Sequence, residues 1–192
     1  MTDKTLDTYL KAVERVYRAN AQDCPHDFVL APGASPKALK LAAETIGRTL
    51  DTQLSSVWAI ANGSNDAPLL MDGDHLASYA LLSITEGIAE REYFRQRAPQ
   101  YSSDGNVDEN TPRDGRVGAG WFSEGWLPFA SNAGGLVLIL DHQPNGSGNG
   151  GQVIGYAHDS DELFFVADSL SDLLSISLGQ IEADPLEFLG LF

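Results

Sequence analysis

Leu6, Tyr9, Leu10, Val13, Val16 and Tyr17 recur at three- and four-residue intervals, which predicts an amphipathic helix over about residues 3–21 with its apolar stripe facing a core. CPHDFVLAPGA then breaks the period with Pro25, Pro32 and Gly33. Ser35 followed by Pro36 reads as an N-cap with proline in the first helical position, and the second helix so started turns Leu39, Ala42, Ala43 and Ile46 inward. Asp51 or Thr52 caps a third helix through Leu54, Val57, Trp58 and Ile60, and Gly63 is expected to close it in the left-handed conformation. LLM, a DGD turn at Asp72 to Asp74 and the apolar stretch Leu76 to Leu82 read as short strands. Ser83 and Glu86 form a capping box for a helix reaching about Ala98, with Arg91, Arg95 and Arg97 as a locally basic face.

Residues 99–116 are polar and nearly free of aliphatics, the composition of a mobile surface loop. Beyond them the period shortens. VGAGWF, LVLILD, QVIGYAH and ELFFVA are short, β-branched or aromatic, and separated by turn clusters, the last two by Asp159-Ser160-Asp161. Asp168 is placed as the cap of a helix carrying Leu170, Leu173, Leu174, Leu178 and Ile181, and Asp184-Pro185 starts a final helical turn. The expectation is an α+β fold: a mostly antiparallel or mixed sheet of about five to six strands in the C-terminal half, packed by N-terminal helices and a C-terminal helix. At 192 residues the chain suits one domain, 1–192, with a core over about 35–181.

Charge and cysteine content narrow the function classes. With 27 acidic and 12 basic residues the net charge is −15, which disfavours nucleic acid and anionic lipid and favours a basic protein partner. The lone Cys24 excludes an internal disulfide, MTDKTLDTYLK lacks the apolar core of a signal peptide, and the least charged stretch, Gly125 to Leu140, is too short and too broken to span a bilayer. A cytoplasmic location is the expectation.

Candidate chemistry is sparse. Gly146, Gly148 and Gly151 spell G-x-G-x-x-G, but a dinucleotide fingerprint needs a helix N-terminus after its glycines to hold the pyrophosphate. QVIGYAH, which follows, has the pattern of a strand, so no cofactor is assigned. None of His26, His75, His142 and His158 stands in an H-x-x-x-H or H-E-x-x-H spacing. Asp72, Asp74 and His75, or Asp141 and His142, could gather around a cation, but turn chemistry and strand-end capping account for them more simply. Cys24 and His26 lie in an irregular segment that does not orient an imidazole on a thiolate, and Ser123 in GWFSEG misses the nucleophile-elbow spacing by one residue. Trp121, Phe122 and Trp126 are read first as packing residues, with partner anchoring as the other possibility.

The run Trp126-Leu127-Pro128-Phe129, Gly134-Gly135, LVLILD ending in Asp141, Pro144 with its glycine-rich turn, Gly151-Gln152-Val153-Ile154 and VADSLSDLL resembles the SUKH (Smi/Knr-like) superfamily. LSSVWAIANG, Leu54 to Gly63, and Leu81-Leu82-Ser83-Ile84 are similar as well, so that the resemblance covers about residues 35–181. It implies an α+β fold around a mixed sheet, no catalytic activity and a protein-binding role. Bacterial relatives are often immunity proteins against toxins, many of them nucleases; fungal relatives are scaffolds linked to cell-wall glucan synthesis. Leu50-Asp51 replaces the family's usual Leu-Pro, and the first helix and residues 99–116 look like additions of a subgroup. The leading expectation is an immunity protein that occludes a basic toxin surface, with Trp126, Asp141, His142, Asp159, Asp161 and Glu162 as candidate contacts. The alternatives are a scaffold of a housekeeping complex and a small metal-dependent hydrolase using Asp72, Asp74, His75 or Asp141.

Overall fold

The computed structural model describes residues 3–25, 27–73, 77–103, 113–133 and 135–191. Three helices come first: α1 (Asp3–Ala19), α2 (Pro36–Ile46) and α3 (Thr52–Ile60). Strands β1 (Pro68–Met71) and β2 (Ser78–Leu81) precede α4 (Ile84–Ser103); then follow β3 (Trp126–Ser131), β4 (Leu136–Asp141), β5 (Gln152–Ala157) and β6 (Glu162–Ala167), and α5 (Leu170–Ala183) and α6 (Pro185–Leu189) close the chain. The six strands form one sheet in sequence order β1-β2-β3-β4-β5-β6, every neighbouring pair antiparallel. The architecture is α+β, with an antiparallel meander where the resemblance implied a mixed sheet.

The helix boundaries follow from local chemistry. Ser35 Oγ accepts from the Ala38 amide and Asp51 Oδ1 from Gln53 and Leu54, each satisfying donors that a first turn leaves open. The Ser83 and Glu86 side chains exchange hydrogen bonds with each other's amides, a complete capping box. Four expectations shift. Helix α3 ends on Ala61 in extended backbone, and Gly63, at φ 112°, lies in the loop beyond. Ser169, not Asp168, caps α5, because it is the Ser169 hydroxyl that accepts from the Asp172 amide. Helix α4 runs through Pro99 to Ser103, so the polar stretch from 99 is helical at its start. VGAGWF is not a strand: Arg113 donates to the carbonyls of Gly118 and Gly120 and holds the segment as an irregular cover.

The strand that takes its place is WLPFAS, with a proline inside. The β3–β4 register slips between Pro128 and Ala130, and such a bulge tolerates a residue that cannot donate to the ladder. There α4 crosses close to the sheet: a Cβ on Gly87 would come within 2.5 Å of the Pro128 carbonyl oxygen.

Side chains alternate across the sheet and fill two layers. Leu127, Phe129, Leu138, Leu140 and Val153 point to a core shared with α1, α2, α3, α5 and α6. Trp126, Val137, Ile139, Ile154, Tyr156 and Leu163 point the other way, beneath Phe94 of α4 and Val117. With both faces covered, the strands read as nearly unbroken apolar runs, each fully buried side chain contributing about 1.5–3 kcal/mol. Tyr9 and Tyr17 of α1 donate to the carbonyls of Leu69 and Pro68, so α1 is hydrogen-bonded to β1 as well as packed.

Candidate functional site

The candidate contact residues occupy opposite ends of the sheet. Trp126 and Asp141 face each other in the β3–β4 register at one end, while Ala157 and Glu162 are paired at the other, where Asp159 and Asp161 form the turn. Six-residue strands rising about 3.3 Å per residue set the two groups on the order of 15–20 Å apart.

At the first end the side chains turn inward. Trp126 is 3% exposed and meets Phe94 and Phe122 edge-on, which is the packing alternative and leaves no indole surface for a partner. Asp141 is fully buried; its carboxylate accepts from the Gln143 amide at 2.9 Å and from Gln152 Nε2 at 3.2 Å. Burial raises its pKa, opposed by those hydrogen bonds and by nearby His142 and Arg48. His142 is partly exposed, with Nε2 3.6 Å from Asp51 Oδ2, beyond hydrogen-bond reach. Burial and the Arg48 guanidinium lower its pKa and outweigh the pull of Asp51 and Asp141. Arg48 itself donates to the Gly125 carbonyl at 2.7 Å. That bond ties the α2–α3 connection to the residue before β3, and His142 at the end of β4 lies beside it.

The glycine-rich turn beside it is filled by the protein. It joins β4 to β5, with Gly146 and Gly151 at φ 50° and 90°. The Asn145 amide donates to Arg116 and the Gly151 amide to Asp141. A Cβ on Gly148 would lie 2.5 Å from Pro144 and 2.7 Å from Gln152 Oε1, so these glycines permit close approach of chain to chain.

The second end is exposed and braced at Asp161. Asp159 and Glu162 are exposed, flanking Asp161, whose Oδ1 accepts from Tyr101 at 2.7 Å and Tyr156 at 2.5 Å and lies 3.5 Å from Arg97. Partial burial alone would raise the Asp161 carboxyl; the two phenols and the Arg97 charge outweigh it and hold it below the ordinary range. Burial together with hydrogen bonding to Asp161 raises the Tyr156 phenol. Asp161 adopts φ 50°, a left-handed conformation that Asp tolerates better than most residues. An acidic tip is thus fixed from beneath by α4.

Other residues singled out in the sequence have structural partners. Asp72 is buried and accepts from the Tyr79 hydroxyl and the Ala77 amide across the β1–β2 turn. Asp74, His75 and His26 lie outside the described residues. Ser123 donates to Gln143 and accepts from the Gly125 amide. The basic face of α4 is internally paired: Arg91 is buried under Phe122 and binds Glu124 and the Trp126 carbonyl, and Arg95 binds Glu92. Among the described residues no group of three or more His, Cys, Asp and Glu gathers as a metal site, and no helix is long and apolar enough to cross a membrane.

Sequence reasoning did not single out Arg48, Gln152 or Tyr101 for these clusters, which join residues far apart in the chain. Gln152 alone carried a signal, as part of Gly-Gln-Val after the glycine turn.

The sequence profile of the SMI1/KNR4 family (SUKH-1) matches residues 33–176, three quarters of the chain. The chain belongs to this family. The SUKH-1 match begins just before α2 and ends inside α5, so α1 and α6 lie outside it although both pack on the same core. A cell wall biosynthesis/cell cycle regulator of Schizosaccharomyces pombe is 31% identical over 110 residues, which cover 53% of this chain and 22% of that relative. The matched part of this SUKH-1 chain therefore spans about a fifth of the fungal protein's length.

Proposed function

We propose that this SUKH-1 protein is a non-enzymatic binding protein of the immunity type, neutralising a cognate bacterial toxin by covering its basic surface. The observation that carries the reading is the acidic β5–β6 tip: Asp159 and Glu162 project beside an Asp161 that two tyrosines and an arginine hold in place. A preformed tip loses little conformational freedom on docking. With a net charge of −15 it would be steered toward a basic partner. Trp126 and Asp141 are buried and do not belong to this contact surface, and His142 follows β4 at the opposite end of the sheet from the tip. The hydrolase alternative draws no support from Asp72 and Asp141, whose carboxylates are engaged by Tyr79 and by Gln143 and Gln152.

Co-production in bacteria with a toxin domain drawn from the neighbouring reading frames of this chain's gene tests the reading. Rescue of growth by the wild-type chain, diminished by Asp159→Asn with Glu162→Gln, is expected; no rescue by the wild type rejects immunity. The Schizosaccharomyces pombe relative favours a second reading, a regulatory scaffold. That reading predicts several cellular partners and no protection from a toxin in the same assay.

A further inference from the structure

A cleft of about 800 Å³ opens where β2 and β3 part. These strands are paired at two positions, Ala80 with Ser131 and Leu81 with Ala130, and the cleft runs along β2 from Ser78 past those pairs to Ser83 and Glu86, with Asp66 and Pro68 on one side and Ser131 to Ala133 on the other. Its wall at α6 is fixed by the Ser78 hydroxyl, which donates to the Phe188 carbonyl at 2.7 Å. Among the described residues the lining carries three carboxylates, Asp66, Glu86 and Glu187, and no lysine or arginine. Pro68, Ala80 and Leu82, each partly exposed, supply an apolar part, so the cleft offers both hydrophobic area and negative charge that no lysine or arginine of the lining offsets.

Its position matters as much as its lining. The β3–β4 turn is at the same end of the sheet as the acidic β5–β6 tip, and the two turns touch, the His158 amide donating to the Gly135 carbonyl at 2.9 Å. At about 4.8 Å between neighbouring strands, the wall of the cleft at Ser131 to Ala133 and the tip are separated by on the order of 10–15 Å. One partner can reach both.

We propose that the cleft receives an extended segment of the partner protein bearing lysine or arginine, whose cationic side chains meet Asp66, Glu86 and Glu187 while the rest of the partner docks on the tip. The proposal rests on the binding-protein reading above and names a second contact for it. An extended segment is the fitting occupant because the cleft runs beside strand backbone and is too polar for an amphipathic helix. Specificity follows from charge: an acidic segment would place like charges in the cleft, which disfavours its binding.

The test uses the full chain and two synthetic peptides, acetyl-Val-Arg-Val-Arg-Val-Arg-amide and its glutamate counterpart, followed by amide chemical shifts. The arginine peptide is expected to shift amides of Ser78–Leu81, Ser131–Asn132 and Glu187–Leu189, and the glutamate peptide to shift none of them. Asp66→Asn with Glu86→Gln and Glu187→Gln should weaken binding about tenfold. Asn tolerates the left-handed φ of 64° at Asp66, and Gln retains the acceptor that caps α4. Asp159→Asn with Glu162→Gln at the tip should leave peptide affinity within about twofold. Shifts confined to the tip, equal binding by the triple variant, or no binding near 1 mM peptide would each overturn the cleft as a docking site. Growth rescue is scored separately, so rescue without peptide binding discards the cleft alone, and peptide binding without rescue discards immunity alone.

Discussion

Tyr101, in the last turns of α4, donates its hydroxyl to Asp161 across 2.7 Å, tying the helix to a turn sixty residues later. Tyr156 donates to the same oxygen from the strand below. Replacing Tyr101 by Phe removes one of the two donors at a partly exposed site, and a loss of about 0.5–1.5 kcal/mol in urea unfolding is expected. If the tip is the docking element, dissociation from the partner should quicken several-fold while association changes little, because the surface charge is intact. Association that slows as much as dissociation quickens would move the contact elsewhere.

A second prediction concerns α1, which lies outside the family match. Tyr9 is 2% exposed, its hydroxyl donates to the Leu69 carbonyl at 2.6 Å, and it lies 2.7 Å from Ser177 Oγ. Ser177 Oγ in turn accepts from the Met71 amide, so α1, β1 and α5 share one buried network. Tyr9→Phe leaves the Leu69 carbonyl without that donor, and a loss of about 1–3 kcal/mol is expected with an unchanged urea m-value. A loss within error would mean that α1 is held by its apolar stripe alone.

Elements with a strong period were legible in the sequence, and elements defined by their neighbours were not. The stripe Leu6 to Tyr17 and the capping pairs Ser35-Pro36 and Ser83-Glu86 act locally, and their helices begin where the pattern placed them. Strand β3 was hidden by Pro128, which argues against a strand until the bulge and the crossing of α4 are seen. VGAGWF has strand-like ends, yet Arg113, which stacks over Trp121 at 4.4 Å, holds it irregular. The acidic tip was readable as a turn, Asp159-Ser160-Asp161, but not the bracing of Asp161, since Tyr101 and Arg97 come from α4. Nor could burial of Trp126 be separated from exposure until both sheet faces proved to be covered.

Two glycine-to-alanine variants should move stability in opposite directions. At Gly87 the added methyl would lie 2.5 Å from the Pro128 carbonyl oxygen, part of a central strand's backbone that cannot swing aside. A loss of about 1–3 kcal/mol is expected for Gly87→Ala. Gly179 sits within α5, exposed, with nothing within 4 Å of an added Cβ. There alanine removes the entropic cost of glycine in a helix, and Gly179→Ala should gain about 0.5–1 kcal/mol. Melting temperatures of the pair decide it: a rise for both would show that α4 can withdraw from β3.

The last prediction is a pH dependence originating at His142. Burial, then the Arg48 charge, lowers its pKa in the folded protein despite Asp51 and Asp141. The unfolded chain therefore takes up a proton first as pH falls below about 6.5, the ordinary histidine value, and stability declines from there toward the lower folded value. Above that window the contribution is fully present. Asp141 acts with the opposite sign: its folded pKa is raised, chiefly by burial, so acidification favours the folded state at that residue. The two effects are separable because substitution at residue 142 removes only the imidazole one. His142→Gln keeps a polar side chain beside Asp51 but cannot titrate, so its urea midpoint should fall less than that of the wild type between about pH 7 and about pH 5.5. Parallel profiles in that window would assign the acid sensitivity to another group.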